Sequence, residues 1–179
     1  MVRRLLERDP TLVFSVSAKT RSARPGEVDG RDYSFMSEER FDELLGQGAF
    51  LEWASMFGHR SGTLAEPVER ARAEGRDVLL EIDVQGARQI RERVPDAVLV
   101  FLEPPTPEDL ARRLRRRRTE SEEELRHRLR VAWEEMAQAG WFDHRVVNDA
   151  VERATAEVAA IIESYRRDAV PPASREEST

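Results

Sequence analysis

The chain has 179 residues, 40% of them apolar, with 29 basic against 35 acidic side chains and a net charge of −6. That is the size of one domain able to bury a real core, and the acidic balance excludes a global basic field for nucleic acid, so any anion site must be local. There is no cysteine, which excludes disulfides, thiolate metal centres and cysteine nucleophiles; the three scattered histidines argue against a His-rich metal site, and no apolar run approaches the roughly 20 residues of a membrane span.

Val2 to Asp9 reads as the end of a helix, with Val2, Leu5 and Leu6 at helical spacing and a stop at Asp9-Pro10. Leu12 to Val16 alternates as a first strand. The chain then becomes polar and rich in turns, with Arg21 and Arg24 three residues apart before Pro25-Gly26, and a second turn at Asp29-Gly30 that delivers Tyr33. Two guanidiniums on a constrained loop, with hydroxyls at Ser17, Thr20 and Tyr33, suit bidentate binding of a phosphate or carboxylate; the plainer reading is a solvated surface loop. Tyr33 to Met36 is a short strand, and Ser37 followed by Glu38 and Glu39 is an N-cap signal for a helix to about Gly46.

Ala49 to Phe57 alternates Phe50, Glu52 and Ala54 against Leu51, Trp53 and Ser55, which places an acid among apolar neighbours. A buried carboxylate needs donors. Guanine offers two on adjacent nitrogens, whereas the plain alternative is a surface acid on a hairpin. Gly58 breaks the strand, Ser61-Gly62-Thr63 makes a polar turn, and a helix starting near Pro67 ends at Gly75. Asp77 to Asp83 reads as a buried parallel strand ending in Glu81 and Asp83, and a helix begins at Val84. Ala97 to Leu102 is a further strand closed by Pro104-Pro105, followed by a helix over 108–117, a long amphipathic helix through Leu125, Leu129, Trp133 and Met136, a strand at Arg145 to Asn148, and a last helix from Val151 to Arg167. Strand and helix in alternation imply a parallel α/β sheet, in which ligands collect at the carboxyl ends of the strands, where Ser17, Glu81, Asp83 and Asn148 fall. An Asp at such an end, here Asp83, is where a nucleotide enzyme holds Mg2+, although Glu81 and Asp83 also suit the N-terminus of the following helix. The run Arg115 to Arg118, with Arg126, Arg128 and Arg130, reads either as a solvated helix face or as a lid closing over transferring phosphates.

Taken together, Ser-Val-Ser-x-x-Thr-Arg-x-x-Arg-Pro-Gly-Glu at 15–27, Asp-Tyr-x-Phe at 32–35, Phe-Leu-Glu-Trp-Ala at 50–54, Gly-Thr at 62–63, Leu-Glu-Ile-Asp-Val-Gln-Gly at 80–86, Arg-Leu-Arg-x-Arg-x-Thr-Glu at 113–120 and Val-Val-Asn-Asp at 146–149 resemble guanylate kinase, from Val2 to about Arg167. The resemblance implies a P-loop nucleoside-monophosphate-kinase-like α/β fold: one domain over 1–168, with a core of 1–32, 64–114 and 129–168, a mixed-sheet GMP-binding insertion at 33–63, a helical lid at 115–128 and a disordered tail at 169–179. It implies transfer of the ATP γ-phosphoryl group to GMP with Mg2+; a cytoplasmic location is the default expectation where neither a membrane span nor a signal-peptide apolar region is seen, and neither nucleic acid nor membrane is expected as a partner. Arg21, Arg24 and Tyr33 match positions that hold the GMP phosphate, and Ser17, Glu52 and Thr63 match those that read guanine. Glu81 and Asp83 match the acids at the floor of the site, Asp83 being the expected metal ligand. Arg115, Arg117 and Arg128 match lid arginines near the transferring phosphoryl, and Asn148 matches a position near the adenine.

Four departures stand out. The family's glycine-rich P-loop, G-x-x-x-x-G-K-[S/T], is absent, and Lys19, the only lysine, lies outside any such motif. The expected missing piece lies upstream of Met1, and the chain as written is expected to bind GMP weakly and to catalyse poorly or not at all. Ser61 stands where the family usually has a second tyrosine on the GMP phosphate, Lys19 where it has a small or hydroxylic residue, and Arg118 where the lid often has glycine. The rival reading is a guanylate-kinase-like protein-interaction module that has lost its chemistry. A kinase for another nucleoside monophosphate is disfavoured by Glu52.

Overall fold

A computed structural model describes residues 1–56, 58–116 and 122–169. It is an α/β structure that groups into two compact units, Val2–Leu99 and the chain from Val100 onward.

In the first unit, α1 (Val2–Arg8) precedes β1 (Val13–Phe14), which pairs in parallel with β6 (Val78–Leu79), Val13 opposite Val78 and Phe14 opposite Leu79. The ladder is shorter than the apolar runs 12–16 and 77–83 predict. Strand length follows the pairing partner, and Ile82 and Asp83 already lead into α4 (Val84–Arg93), for which Asp83 is the N-cap.

The second sheet has the order β3-β2-β5-β4, built from β2 (Ala18–Lys19), β3 (Ser34–Phe35), β4 (Phe50–Met56) and β5 (His59–Leu64). β2 runs parallel to β3 and antiparallel to β5, and β4–β5 is a hairpin. The register slips between Phe50 and Glu52: Phe50 pairs with Leu64, whereas Glu52 pairs with Thr63. Cross-strand partners share a face and neighbours along a strand do not. This bulge therefore puts Phe50 and Glu52 on opposite faces, where simple alternation had put them together.

One face is consequently apolar. Phe41, Phe50 and Ala18 are buried there, with Met36, Leu44, Leu45, Trp53 and Leu64 packed against them, and the Phe41 and Phe50 rings stack at 4.3 Å. Its cover is α2 (Glu38–Gly46), capped at its start by Ser37, whose hydroxyl accepts from the Arg40 amide, and followed by Gly48, with φ 67° and an amide bonded to Leu45 O. Gly62 lies on this crowded face, where a Cβ would stand 2.8 Å from the Phe50 ring and from the Glu52 carbonyl oxygen. The opposite face carries Lys19, Ser61, Thr63 and Glu52. α3 (Ala65–Ala73) buries Val68 and Ala71 and closes at Gly75, with φ 71°.

The second unit contains β7 (Val100–Glu103) and β8 (His144–Val147), paired in parallel from Val100–His144 to Glu103–Val147. α5 (Pro107–Arg116), α6 (Glu122–Met136) and α7 (Val151–Ala169) complete it, with Leu125, Val146, Ala154 and Val158 buried and Phe101 edge-on to Phe142 at 5.0 Å. Residues 117–121 and 170–179 lie outside the described residues, and with them Arg117, Arg118 and nearly all of the expected tail.

Candidate functional site

Turn chemistry shapes the loop between β2 and β3. Arg24, Pro25, Gly26 and Glu27 form a turn closed by the Glu27 amide on Arg24 O at 3.0 Å, and Gly26 takes φ 91°, which only glycine adopts without strain. The turn swings Glu27 back onto Arg21. Two parallel bonds of 2.7 Å run from the Arg21 guanidinium to the Glu27 carboxylate, and the Arg24 amide donates to the same carboxylate at 2.8 Å. The Arg21 side-chain hydrogen bonds, joined by the Arg24 amide, hold the Glu27 carboxyl down to about 2. Arg21 is thus a tethered cation with its two terminal nitrogens engaged, while Arg24 is exposed.

Asp29 fixes the return of the loop, its side chain accepting from the Phe35 amide at 2.8 Å, while the Gly30 amide donates to Tyr33 O. Tyr33 stands half-buried in the cluster. The Arg21 guanidinium carbon is 5.3 Å and Lys19 Nζ 4.4 Å from its ring centre. Burial raises the Tyr33 hydroxyl pKa, helped by the negative charges of Glu81 and Glu27.

On the same sheet, Glu52 is buried at 4% exposure and Thr63 at 1%. Thr63 Oγ1 donates to Glu52 Oε1 at 2.7 Å, whereas Oε2 lies against Gly86, so close that a Cβ there would stand 2.4 Å away. Burial raises the Glu52 carboxyl pKa, the Thr63 hydrogen bond opposes the rise, and the Asp83 charge adds to it. Ser17, also buried, sits just before β2, its carbonyl accepting from the Ser34 amide.

α4 is fastened to the edge of β4 by side chains standing in for a strand. The Gln89 amide accepts from Trp53 N–H at 3.1 Å and donates to Trp53 O at 2.6 Å, and Arg93 donates to Phe50 O. Asp83 Oδ1 accepts from the Gly86 amide at 2.7 Å, so the helix N-terminal reading of Asp83 holds for that oxygen, and Oδ2 is left over. Glu81 is exposed in the irregular stretch before it.

The first unit therefore holds Arg21, Arg24, Tyr33, Glu52, Thr63, Glu81 and Asp83, linked by hydrogen bonds, ring contacts or direct charge effects, and Ser17, which among the described residues bonds only through its carbonyl, to the Ser34 amide. Arg115 on α5, Arg128 on α6 and Asn148 after β8 belong to the second unit. There the Asn148 amide donates to Glu103 O at 2.8 Å and its carbonyl accepts from Arg113, while its buried Oδ1 has no partner among the described residues. Sequence reasoning missed Gln89 and Gly86, which place Glu52, and the pairing of Glu27 with Arg21. The spacing Arg21-x5-Glu27 around Pro-Gly was the available signal for that pair; nothing local marked Gln89.

Among the described residues no three His, Asp or Glu side chains gather closely enough to hold a metal ion, and no helix is long and apolar enough to cross a membrane. A single carboxylate oxygen, as at Asp83, still suits Mg2+, which keeps most of its shell as water and substrate phosphate.

Comparison with known proteins identifies the family. The family model described as Guanylate kinase matches residues 1–165. The guanylate kinase of Mycobacterium tuberculosis is 51% identical over 164 residues, spanning 90% of this chain and 79% of that protein. That of Rubrobacter xylanophilus is 48% identical over 162 residues, spanning 90% and 85%. The crystal structure of guanylate kinase from Anaplasma phagocytophilum superposes with a TM-score of 0.78 at 32% identity, covering 92% of this chain and 79% of that one. The chain belongs to the guanylate kinase family of phosphotransferases.

Proposed function

We propose that the chain binds GMP on the polar face of its four-stranded sheet, as the acceptor of a phosphoryl group transferred from ATP in purine nucleotide metabolism, in the cytoplasm. The carrying observation is the buried Glu52 carboxylate, oriented by Thr63 through a 2.7 Å bond, on the same sheet as the tethered Arg21 and the Tyr33 ring. Two acceptor oxygens side by side match the ring N–H and exocyclic amine of guanine. Adenine presents no such pair of donors, so it would leave the carboxylate unpaired, at a cost of about 1–3 kcal/mol or more. Thr63 and Ser17 complete the base pocket, and Arg21, Arg24 and Tyr33 hold the phosphate.

The chemistry needs no covalent nucleophile, only alignment and neutralisation of charge as the phosphoryl group passes between oxygens. Arg115, Arg117 and Arg128 are the residues assigned to that neutralisation. Asn148, whose buried Oδ1 has no partner among the described residues, would accept from the adenine amine of ATP. Asp83, through the oxygen not engaged in capping α4, would hold Mg2+ together with the phosphates, and Glu81 lies beside it at the floor. Bound there, Mg2+ supplies charge neutralisation on the phosphate oxygens.

The 179 residues contain no G-x-x-x-x-G-K-[S/T] cradle for the donor phosphates. GMP binding by this chain is accordingly expected to be weak but measurable, and turnover slow or absent. Calorimetry with GMP and AMP, alongside a coupled ADP-release assay, tests the reading: GMP should bind more tightly than AMP, and Glu52→Ala and Arg24→Ala should each weaken GMP. Equal affinity for AMP and GMP would contradict the guanine assignment. No GMP binding at all is the result demanded by a protein-interaction module.

A further inference from the structure

Lys19 is the only lysine of the chain and lies on β2, an inner strand of the four-stranded sheet, directly opposite Ser61 on one side and Phe35 on the other. Its predecessor Ala18 is fully buried in the apolar face, so the strand's alternation sends Lys19 to the face that carries Thr63 and Glu52. Facing pairs across antiparallel strands share a side, and the short Ser61 side chain leaves the space above the pair to the long lysine stem.

The ammonium at the end of that stem is held in place without being neutralised. Nζ sits 4.4 Å from the Tyr33 ring centre, in the aromatic contact that Arg21 makes from 5.3 Å. Among the described residues it has no ion-pair partner, and the nearby Glu27 already takes two bonds from Arg21. Burial and the positive charges of Arg21 and Arg24 all disfavour a charge at Nζ, with Glu81 and Glu27 compensating in part. A half-buried ammonium among like charges, beside a tyrosine, is stabilised by contact with an anion.

We propose that Lys19 is a third cation of the acceptor-phosphate site, its ammonium contacting a phosphate oxygen of the bound nucleoside monophosphate beside Arg21 and Arg24. The inference rests on the GMP reading above and deepens it. Arg21 acts as a tethered positioning charge, Arg24 approaches from the exposed turn, and Lys19 supplies a mobile point charge from the sheet itself. Charge-assisted contact with a phosphate is about twice as strong as a neutral bond, and a point charge tolerates more than one phosphate orientation.

Because Lys19 is unique, lysine labelled at Nζ and Cε gives a single side-chain NMR signal from the unmodified protein. GMP should move that signal, and guanosine, which lacks the phosphate, should leave it in place. Calorimetry gives the energetic side: Lys19→Gln and Lys19→Ala should weaken GMP binding about ten-fold or more while guanosine affinity changes less than two-fold. A signal unmoved at saturating GMP overturns the proposal, as does equal weakening of GMP and guanosine, which would mark a structural lysine. If Arg24→Ala weakens GMP and Lys19→Gln does not, Lys19 fails alone and the GMP reading stands; if the wild-type chain binds no GMP, both fall.

Discussion

Gly86→Ala tests how the Glu52 carboxylate, proposed to read guanine, is placed. Gly86 lies in the first turn of α4, with its amide on Asp83 Oδ1, and its backbone is one that alanine adopts freely. The added Cβ would stand 2.4 Å from Glu52 Oε2 and 3.0 Å from its carboxyl carbon. Since non-bonded carbon contacts settle near 3.5 Å, the carboxylate must retreat by roughly 1 Å. It has nowhere easy to go. Glu52 is 4% exposed, and its other oxygen is held by Thr63 at 2.7 Å, a bond that such a shift takes beyond hydrogen-bonding range. Losing one charge-assisted bond costs about 1.5–3 kcal/mol, and a misplacement of about 1 Å in a recognition group costs on the order of a hundred-fold. GMP affinity should therefore fall about a hundred-fold, or about 2.7 kcal/mol. Folding should change little, because alanine is favoured over glycine in a helix by up to about 1 kcal/mol, offsetting part of the strain. Calorimetry with GMP and a thermal melt of the same variant decide it. A Gly86→Ala protein that binds GMP within about three-fold of wild type would refute the claim that Gly86 packing holds the carboxylate.

Three further expectations follow from the same geometry. The Glu52 carboxyl titrates above its ordinary value, so the folded state holds that proton more tightly than the unfolded one, and its contribution to stability falls as pH rises from the ordinary carboxyl range through the raised value. Glu52→Gln should accordingly melt higher than wild type at pH 7.5, converge with it toward pH 4, and lose GMP; parallel melting profiles at all pH values would refute the burial argument. Glu27 is opposite in sign: held down to about 2 chiefly by Arg21, it contributes stability above the ordinary carboxyl value that disappears only as pH falls through about 2. Acid weakening of guanosine binding above pH 4 therefore belongs to Glu52 and should persist in Glu27→Gln, whereas that variant should bind GMP about ten-fold more weakly because Arg21 loses its orientation. Gln89→Leu should leave the Trp53 N–H and carbonyl without their partner, lowering stability by about 1–3 kcal/mol in urea unfolding followed by tryptophan fluorescence.

Local chemistry made much of this structure readable in advance. Ser37 with two acids behind it starts α2 as expected, the glycines near 46–48 and at 75 end α2 and α3, and Pro104-Pro105 closes β7. The alternation of strands and helices anticipated the parallel pairs β1–β6 and β7–β8. What the sequence concealed depends on partners. The apolar run from Asp77 to Asp83 records the general inwardness of the segment, but its ladder extends only over Val78–Leu79, where β1 pairs with it. The bulge at Phe50–Glu52 is hidden for the same reason, since period-two reading assumes an unbroken register and one extra residue inverts every side chain beyond it. Among the candidate site residues, Arg21, Arg24 and Glu52 were legible because charges on turns and strands demand an explanation. Gln89 was not, because a glutamine on a helix face looks solvated until the strand edge it pairs with is known.

The bulge also explains how one small sheet serves two incompatible environments. Without it, Glu52 would share a face with Phe50, against the stacked Phe41 ring and Trp53, where an ionised carboxylate has no donors and the core has no room. With it, Phe50 and Trp53 both turn to the core while Glu52, two residues after the first and one before the second, turns to Thr63. Gly62 and Gly86 mark the two places where this arrangement leaves no space for a Cβ, one against Phe50 on the apolar side and one against Glu52 on the polar side. Stability and the proposed guanine contact are therefore coupled through backbone register: a one-residue slip of β4 against β5 beyond the bulge would return Glu52 to the core face and disrupt both together. A substitution at Thr63, by contrast, touches only the polar face. The two faces can be disturbed separately by side chains, and only jointly by the backbone that divides them.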